Sequence, residues 1–365
     1  MNKEGVIERS ALGKTILELS EAKALIGKEV ETRDEEAYLA ECPVEASEIR
    51  RYALSNEDCN PLWIDNEHAK KTRWGGIIAP PTFMHTCGGG GGVLGSLRIV
   101  GTDAFPAGSM YCGSEFEFLR PIRPGDKIRA KEVIYDFVEK TGGAFAGRVI
   151  FATSETTYTN QNDEIVGILR GSVAKYSTAD AHKKSTYTTD ELPKLSMNPP
   201  SESKLETKAR GTNPLYYEDV PLGAEATPLV RELTIPKIVT TSHSGRVGII
   251  PPFNQRGPGC WWHYAPGASW EVRGLPAPMD TGPVRCAQPS QLMTDWIGDD
   301  GWLRKLSVQI RRPIYAGDTT TWKGKVTNKY VKDNQHFVEC EIWGENQRGQ
   351  ISTKGNATII LQSRS

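Results

Sequence analysis

The chain has 365 residues, with 44 basic side chains against 45 acidic ones and a formal net charge of −1. That length allows two domains of ordinary size, each with its own core, and the near-neutral balance excludes a global basic field for nucleic acid or anionic lipid. Seven cysteines, an odd number scattered along the chain, give no disulfide framework and point to a reducing compartment.

Met1 to Gly5 leads into a charged amphipathic stretch without an apolar signal core, and nowhere is there an 18-residue apolar run. A cytoplasmic location without membrane spanning is therefore expected. Further on, the spacing from Val44 to Ser55 predicts a short helix with Ile49, Tyr52 and Ala53 on one face. It empties into Asn56-Glu57-Asp58-Cys59-Asn60-Pro61-Leu62-Trp63, where Pro61 disfavours helix at Asn60 and so puts Asp58 and Asn60 on a turn. His68, with Glu67 and the run Lys70-Lys71-Thr72-Arg73, reads as part of a solvated helix whose cations could meet phosphates. Trp74 to Phe83 is apolar and uncharged, hence expected to be buried beside the turn. His85 follows it, either reaching a groove or serving as a hydrogen-bonded structural histidine.

Gly90-Gly91-Gly92-Val93-Leu94-Gly95 satisfies G-x-G-x-x-G, but the context rejects a dinucleotide site. Gly101, Pro106 and Gly108 prevent the long helix that such a fold needs, and no Lys-Ser or Lys-Thr makes it a P-loop. Five glycines from Gly88 to Gly92, at about 1 kcal/mol each in a helix interior, imply a short, broken or displaced helix. The outcome is either a wide pocket entrance or a surface loop.

Gly113 to Leu119 then alternates apolar and polar residues with the strand period. It runs into Arg120-Pro121-Ile122-Arg123-Pro124-Gly125-Asp126, followed by strand-rich Ala144 to Asn160 and Gly171-Ser172-Val173-Ala174. The same order recurs as Leu306 to Arg311, Arg312-Pro313-Ile314-Tyr315-Ala316-Gly317-Asp318, the alternating Val338 to Ile342, and Gly355-Asn356-Ala357-Thr358. Pro-x-x-x-Gly-Asp alone is ordinary turn chemistry, but shared flanks in shared order imply one fold used twice. Residues 178–211, rich in Pro, Ser and Lys, read as a linker between an N-terminal domain, 1–177, and a C-terminal domain, 212–365, with the boundary near residue 190.

Ahead of the second series, Ile238 to Gly248 aligns only loosely with the first half's helix and turn, placing His243 and Arg246 near the turn. Cys260-Trp261-Trp262-His263 offers two possible metal ligands where zinc needs three or four, so no metal is expected. Gln288 to Gly298 reads as a central helix with Leu292, Trp296 and Ile297 inward and Gly298 closing it. Asp280 and Arg285 stand at its entrance, either facing a substrate or forming a surface ion pair or helix-start charge. No Gly-x-Ser-x-Gly elbow or activated cysteine supports nucleophilic catalysis.

Tyr52-Ala53-Leu54-Ser55, Asp58-Cys59-Asn60-Pro61, Ala69 and Gly76 to Phe83, together with the Arg-Pro-x-x-x-Gly-Asp hairpin, resemble the hydratase motif of the MaoC-like enoyl-CoA hydratases and dehydratases. The likeness is greatest to FAS1-like dehydratase domains. It runs from about residue 20 to 177, and more weakly from Asp280 to Gly324. The resemblance implies an α+β double hotdog, in which two antiparallel sheets each wrap a central helix and join edge to edge. It also implies reversible hydration of an α,β-unsaturated acyl-CoA thioester by cofactor-free acid–base catalysis. That chemistry needs a base for water, an acid for the α-carbon and donors for the enolate oxygen. Asp58, Asn60 and Asp280 become the catalytic candidates, with Asn60 orienting Asp58 or the water. Trp63, Gly76, His85, Gly88, Arg285 and Cys286 become substrate contacts, the backbone around Gly88 or Cys286 serving the enolate oxygen. The implied partners are an acyl-CoA and another hotdog subunit, in a homo-oligomer or a hetero-oligomer. In the family an Asp and a His on the turn handle water. The family's His falls here on Trp63, which exchanges no proton at physiological pH and suits packing in the core or against an acyl chain. That departure favours one alternative, a non-catalytic acyl-binding subunit of a heteromeric dehydratase; a further alternative is an acyl-CoA thioesterase, which uses the same fold with a carboxylate at a helix.

Overall fold

The computed structural model describes residues 6–7, 16–32, 34–87, 98–99, 107–187, 192–193, 214–242 and 267–364. The first half begins with β1 (Val6–Ile7), β2 (Ile16–Leu17) and β3 (Glu29–Val30), and continues through the helix Ala46–Ser55 and β4 (Arg98–Ile99). Four long strands follow, β5 (Ala107–Phe118), β6 (Arg129–Thr141), β7 (Arg148–Thr159) and β8 (Ile165–Ser177). In the second half, β9 (Leu229–Glu232) and the helix Gly282–Ile297 precede β10 (Trp302–Ile310), β11 (Thr319–Lys332), β12 (Gln335–Asn346) and β13 (Ile351–Leu361).

All but β2 and β4 join one eleven-stranded sheet, in the order β1-β3-β6-β7-β8-β5-β10-β13-β12-β11-β9. The order is mirrored about the β5–β10 seam, where antiparallel pairing sets Phe116 opposite Leu306 and Ser114 opposite Val308. This is the edge-to-edge join expected of a double hotdog. The antiparallel expectation needs correction only for the short strands: β1 pairs with β3, and β2 with β4, in parallel.

Close approach at the seam depends on glycine. A Cβ at Gly113, whose φ is +137° beside a β-bulge in β5, would lie 2.0 Å from the Val308 carbonyl oxygen; one at Gly355 would lie 1.9 Å from that of Ser307. β10 is thus gripped from both sides by strands that have no side chain at the tightest point.

The duplication holds at atomic detail. Asp126 Oδ2 accepts from Arg123 N at 2.7 Å, and Asp318 Oδ2 from Tyr315 N at 2.9 Å. Gln161 and Gln347 each donate to the other oxygen of that aspartate, at 3.2 and 3.0 Å. Gly125 N and Asp126 O bond Val44 just as Gly317 N and Asp318 O bond Leu233. A turn aspartate whose oxygens accept both local and distant donors fixes where the strands leave the hairpin, so the same motif yields the same geometry twice.

The central helix of the second half starts at Gly282, buries Val284 to Thr294 together with Ile297, and closes on Gly298 at φ 73°. Trp296 is half-buried. The first half has in this position a six-residue 3-10 helix, Pro81–Thr86, with every residue buried. The glycine run 88–92 lies outside the described residues. Both halves feed one hydrophobic cluster, in which Ile49, Phe83 and Phe116 share burial with Leu292, Trp322 and Ile359. The two expected domains therefore have a common core.

The expected linker opens with structure. Ser177 caps a helix, Thr178–Lys184, by accepting from Asp180 N at 3.2 Å. That helix packs on Ala268–Arg273 of the second half, with the His182 and Trp270 rings stacked at 4.5 Å and Tyr176 Oη donating to the Arg273 carbonyl at 2.9 Å. Residues 188–191 and 194–211 of that expected linker lie outside the described residues. Among the described residues no helix is long and apolar enough to cross a membrane.

Candidate functional site

The helix Ala46–Ser55 starts with a reciprocal capping box between Glu45 and Glu48 and buries Ile49, Tyr52 and Ala53, the predicted face. It ends in a Schellman arrangement: Glu57 N donates to Leu54 O at 3.0 Å and Asp58 N to Ala53 O at 2.9 Å. The left-handed position of that motif, usually glycine, is Glu57 at φ 56°. A side chain there costs about 1 kcal/mol. The turn it makes sends Asp58 and Asn60 inward, 5% and 3% exposed.

Asn60 orients Asp58 through its backbone. Its amide donates to Asp58 Oδ1 at 3.2 Å, while its side-chain oxygen accepts from Leu62 N at 3.0 Å and caps the short helix Pro61–Ile64. Proline at the first helical position suits that cap, since its missing N–H would have had no partner. Trp63 is packed in the core and also polar in function: its indole Nε1 donates to Asp58 Oδ2 at 3.0 Å. Burial pushes the Asp58 carboxyl up to about 6, and the Asn60 amide, the Trp63 indole and Arg231 pull it back. No histidine is among the described groups that act on it. Beside it Tyr52 Oη donates to Thr82 Oγ1 at 3.0 Å, and burial pushes that hydroxyl above its usual range.

The turn is held from the other half. Lys237 Nζ lies 2.6 Å from Glu57 Oε2, and Arg231 Nε 3.4 Å from the same oxygen. The Glu57 carbonyl accepts from Arg231 Nη2 at 3.0 Å and from Gln291 Nε2 at 3.1 Å. Arg231 also donates to Gln291 Oε1 at 2.9 Å, closing the group on itself. Burial lowers the Lys237 ammonium from its usual range against the opposing pull of Glu57. None of these four residues stood out in the sequence; the one available signal was glutamate in the place where a helix of this kind closes on glycine.

Asp280 and Arg285 face each other, not open space. Arg285 Nε and Nη2 contact Asp280 at 2.5 and 2.6 Å, and Nη1 donates to Thr353 Oγ1 at 3.0 Å and to the Arg312 carbonyl at 3.1 Å. With Arg285 1% and Asp280 8% exposed, this is no surface pair. It ties the start of the central helix to the second hairpin. Cys286 is fully buried, its thiol pushed up to about 12 by burial, with the Tyr111 hydroxyl 3.6 Å from its sulfur. Its amide lies inside the helix, four residues past Gly282 and beyond the first-turn amides that have no partner in the helical ladder.

His85 lies in the 3-10 helix Pro81–Thr86. It is 4% exposed, its Nε2 has no hydrogen-bond partner among the described residues, and it sits against Phe116 and Tyr111 at ring distances of 6.1 and 6.3 Å. Burial pulls its pKa down to about 4, so it is neutral. Gly76 lines an open groove of about 500 Å³ with Arg50, Asn66 and Arg123. His68, expected on a solvated helix, is half-buried and bridges the halves, with Nε2 2.7 Å from Asp299 Oδ2. Gly88, His243, Arg246, Cys260 and His263 lie outside the described residues.

Residues 26–168 match the family profile described as FAS1-like, dehydratase domain region. A probable enoyl-CoA hydratase alpha subunit of Thermomonospora curvata is 27% identical over 164 residues, covering 42% of this chain and 49% of that protein. A UPF0336 protein of Thermobifida fusca is 30% identical over 97 residues, covering 26% of this chain and 61% of that protein. The chain thus spans about half to three-fifths of the length of these relatives. A solved MaoC-like dehydratase superposes with a TM-score of 0.65 at 18% identity, over 94% of this chain and 99% of that one. A Mycobacterium tuberculosis protein described as a double hotdog gives 0.51 at 10% identity, over 87% and 92%. Residues 26–168 thus match a FAS1-like dehydratase region, and the fold is the α+β double hotdog.

Proposed function

We propose that the protein adds water to, or removes it from, an acyl-CoA thioester, interconverting a 2-enoyl and a 3-hydroxyacyl group without a cofactor. The observation that carries this reading is Asp58: a buried carboxyl near pKa 6, held by Asn60 and Trp63 on the turn that the family match covers. A carboxyl titrating near neutrality exists in both forms at working pH, which suits a group that must take and return a proton. In hydration Asp58 accepts a proton from water as the oxygen adds to C3, and the resulting enolate recovers that proton at C2. The hydration panel should contain short, branched and aromatic enoyl-CoAs. Turnover by the wild-type chain that is lost in Asp58→Asn with the fold intact supports the reading, and an unhydrated panel counts against it.

A second reading is favoured by Trp63, which occupies the Asp58 oxygen that a proton-exchanging partner would otherwise address. On that reading the chain binds the acyl group in a hetero-oligomer with another hotdog subunit, and activity emerges only when that subunit is added. A homo-oligomer of active chains is the arrangement that goes with the first reading.

A further inference from the structure

We propose that Glu57 is the positioning residue of the Asp58 site and that Arg231, Lys237 and Gln291 of the second half are its clamp, so that the second half serves the chemistry by holding the first half's turn. The inference rests on the reading of Asp58 as the proton-handling group.

A Schellman turn takes glycine at its left-handed residue because any side chain is strained there, yet this chain has glutamate at φ 56°. Lys237 and Arg231 reach its carboxylate, and Arg231 and Gln291 hold its carbonyl, the atom group that joins it to Asp58. These contacts come from three separate places in the second half: Arg231 from β9, Lys237 from the helix Ile235–Ser242, and Gln291 from the central helix Gly282–Ile297. Glycine in position 57 would make the turn more easily and would lose the carboxylate contacts. Strain kept at a site and supported by surrounding contacts marks a geometry held for a purpose.

The clamp also carries charge to Asp58. Arg231 acts on Asp58 directly, and Asp58 in turn acts on Tyr52 of the helix and on Cys59 of the turn, where Asp295 of the central helix is also felt. Loosening Glu57 therefore shifts both where Asp58 stands and how strongly Arg231 holds its proton affinity down.

The test compares wild type, Glu57→Gly, Lys237→Met, the double variant and Asp58→Asn on the enoyl-CoA panel, reading kcat, KM, the pH profile and thermal melting. Glu57→Gly relieves the left-handed backbone but leaves the buried Lys237 ammonium without its carboxylate, so it should melt below wild type. Assayed well below that melting temperature, it should lose about tenfold in kcat with KM within about twofold, the signature of misplaced chemistry and not of lost binding. Lys237→Met should match that loss, the double variant should fall no further than either single change, and Lys237→Arg should restore activity. Wild-type kcat and pH profile in Glu57→Gly, with Asp58→Asn inactive, overturns the clamp alone. No hydration by the wild type across the panel overturns the clamp and the proposed function together.

Discussion

Trp63 and Asp58 lie five residues apart and are joined by an indole-to-carboxylate hydrogen bond of 3.0 Å inside the core. The tryptophan thereby does two things at once. It fills space against the hydrophobic cluster, and it supplies one of the few donors that keep a buried carboxyl from rising further. Where a histidine would share a proton, tryptophan only donates one.

Replacing Trp63 with Phe should therefore raise the Asp58 pKa above about 6, because a donor to the charged form is gone. It should also cost about 2 kcal/mol for the lost bond to a charged group. Carbon-detected NMR titration of the Asp58 carboxyl checks the direction, and urea unfolding checks the cost. A midpoint that stays put or falls would refute the role assigned to the indole.

Replacing Trp63 with His puts a titratable ring beside Asp58. Under the proposed function, hydration by that variant should exceed the wild-type rate, with an added ionisation in the pH profile. Initial rates on the enoyl-CoA panel measure this, and a folded variant no faster than wild type would speak for a different obstacle.

Asp58 and His85 make opposite contributions to stability against pH. The Asp58 pKa is raised from 3.8 to about 6, so its contribution is full below pH 3.8 and is lost as pH rises through 6. The His85 pKa is lowered from 6.5 to about 4, so its contribution is full above pH 6.5 and is lost as pH falls through 4. The two slopes oppose each other between pH 4 and 6. Relative to wild type, Asp58→Asn should become more favourable as pH rises across that window, and His85→Gln should become more favourable as pH falls. Denaturation midpoints at half-unit pH steps decide this, and parallel curves for all three proteins would contradict it.

Asp280→Ala strands the Arg285 guanidinium in the interior, which should cost about 3–5 kcal/mol. The double change Asp280→Ala, Arg285→Met should recover part of that loss, because the uncompensated charge goes with it. Chemical denaturation of the three proteins measures the coupling. A single variant as stable as wild type would show that the pair does not anchor the helix.

Gly113→Ala should destabilise by more than about 3 kcal/mol, since its Cβ has no room against the Val308 carbonyl and the backbone is left-handed. Gly76→Ala, with nothing within 4 Å of the added carbon, should stay within about 0.5 kcal/mol of wild type. Thermal melts of the pair separate seam packing from general intolerance of substitution.

Short-range features of the fold are legible in the sequence. The helix face Ile49-Tyr52-Ala53, the turn at Asp58 and Asn60, and the closing glycine Gly298 each depend on residues a few positions apart, where period, proline and capping rules operate. Parts of β5, β7, β10 and β12 were readable for the same reason, whereas β6 and β11 were not singled out. The roles of His68, Asp280 and Arg285 were not readable, because their partners or their burial are set by other elements: Asp299 lies in the opposite half, and the Asp280–Arg285 pair is sealed by Thr353 and the Arg312 carbonyl. A charge at a helix entrance looks the same in sequence whether it faces water or a sealed interior.

By itself the sequence determined that one unit is used twice, because each copy carries its hairpin aspartate, glycine and strand alternation within its own chain segment. Local hydrogen bonds make such a unit wherever it is placed. Only the tertiary structure decided that β5 and β10 meet at glycine, and that Glu57 is gripped from β9 and two second-half helices. Those contacts join residues far apart in the chain, and nothing local selects them. They exist because two sheets closed edge to edge over one core bring the halves within hydrogen-bond reach.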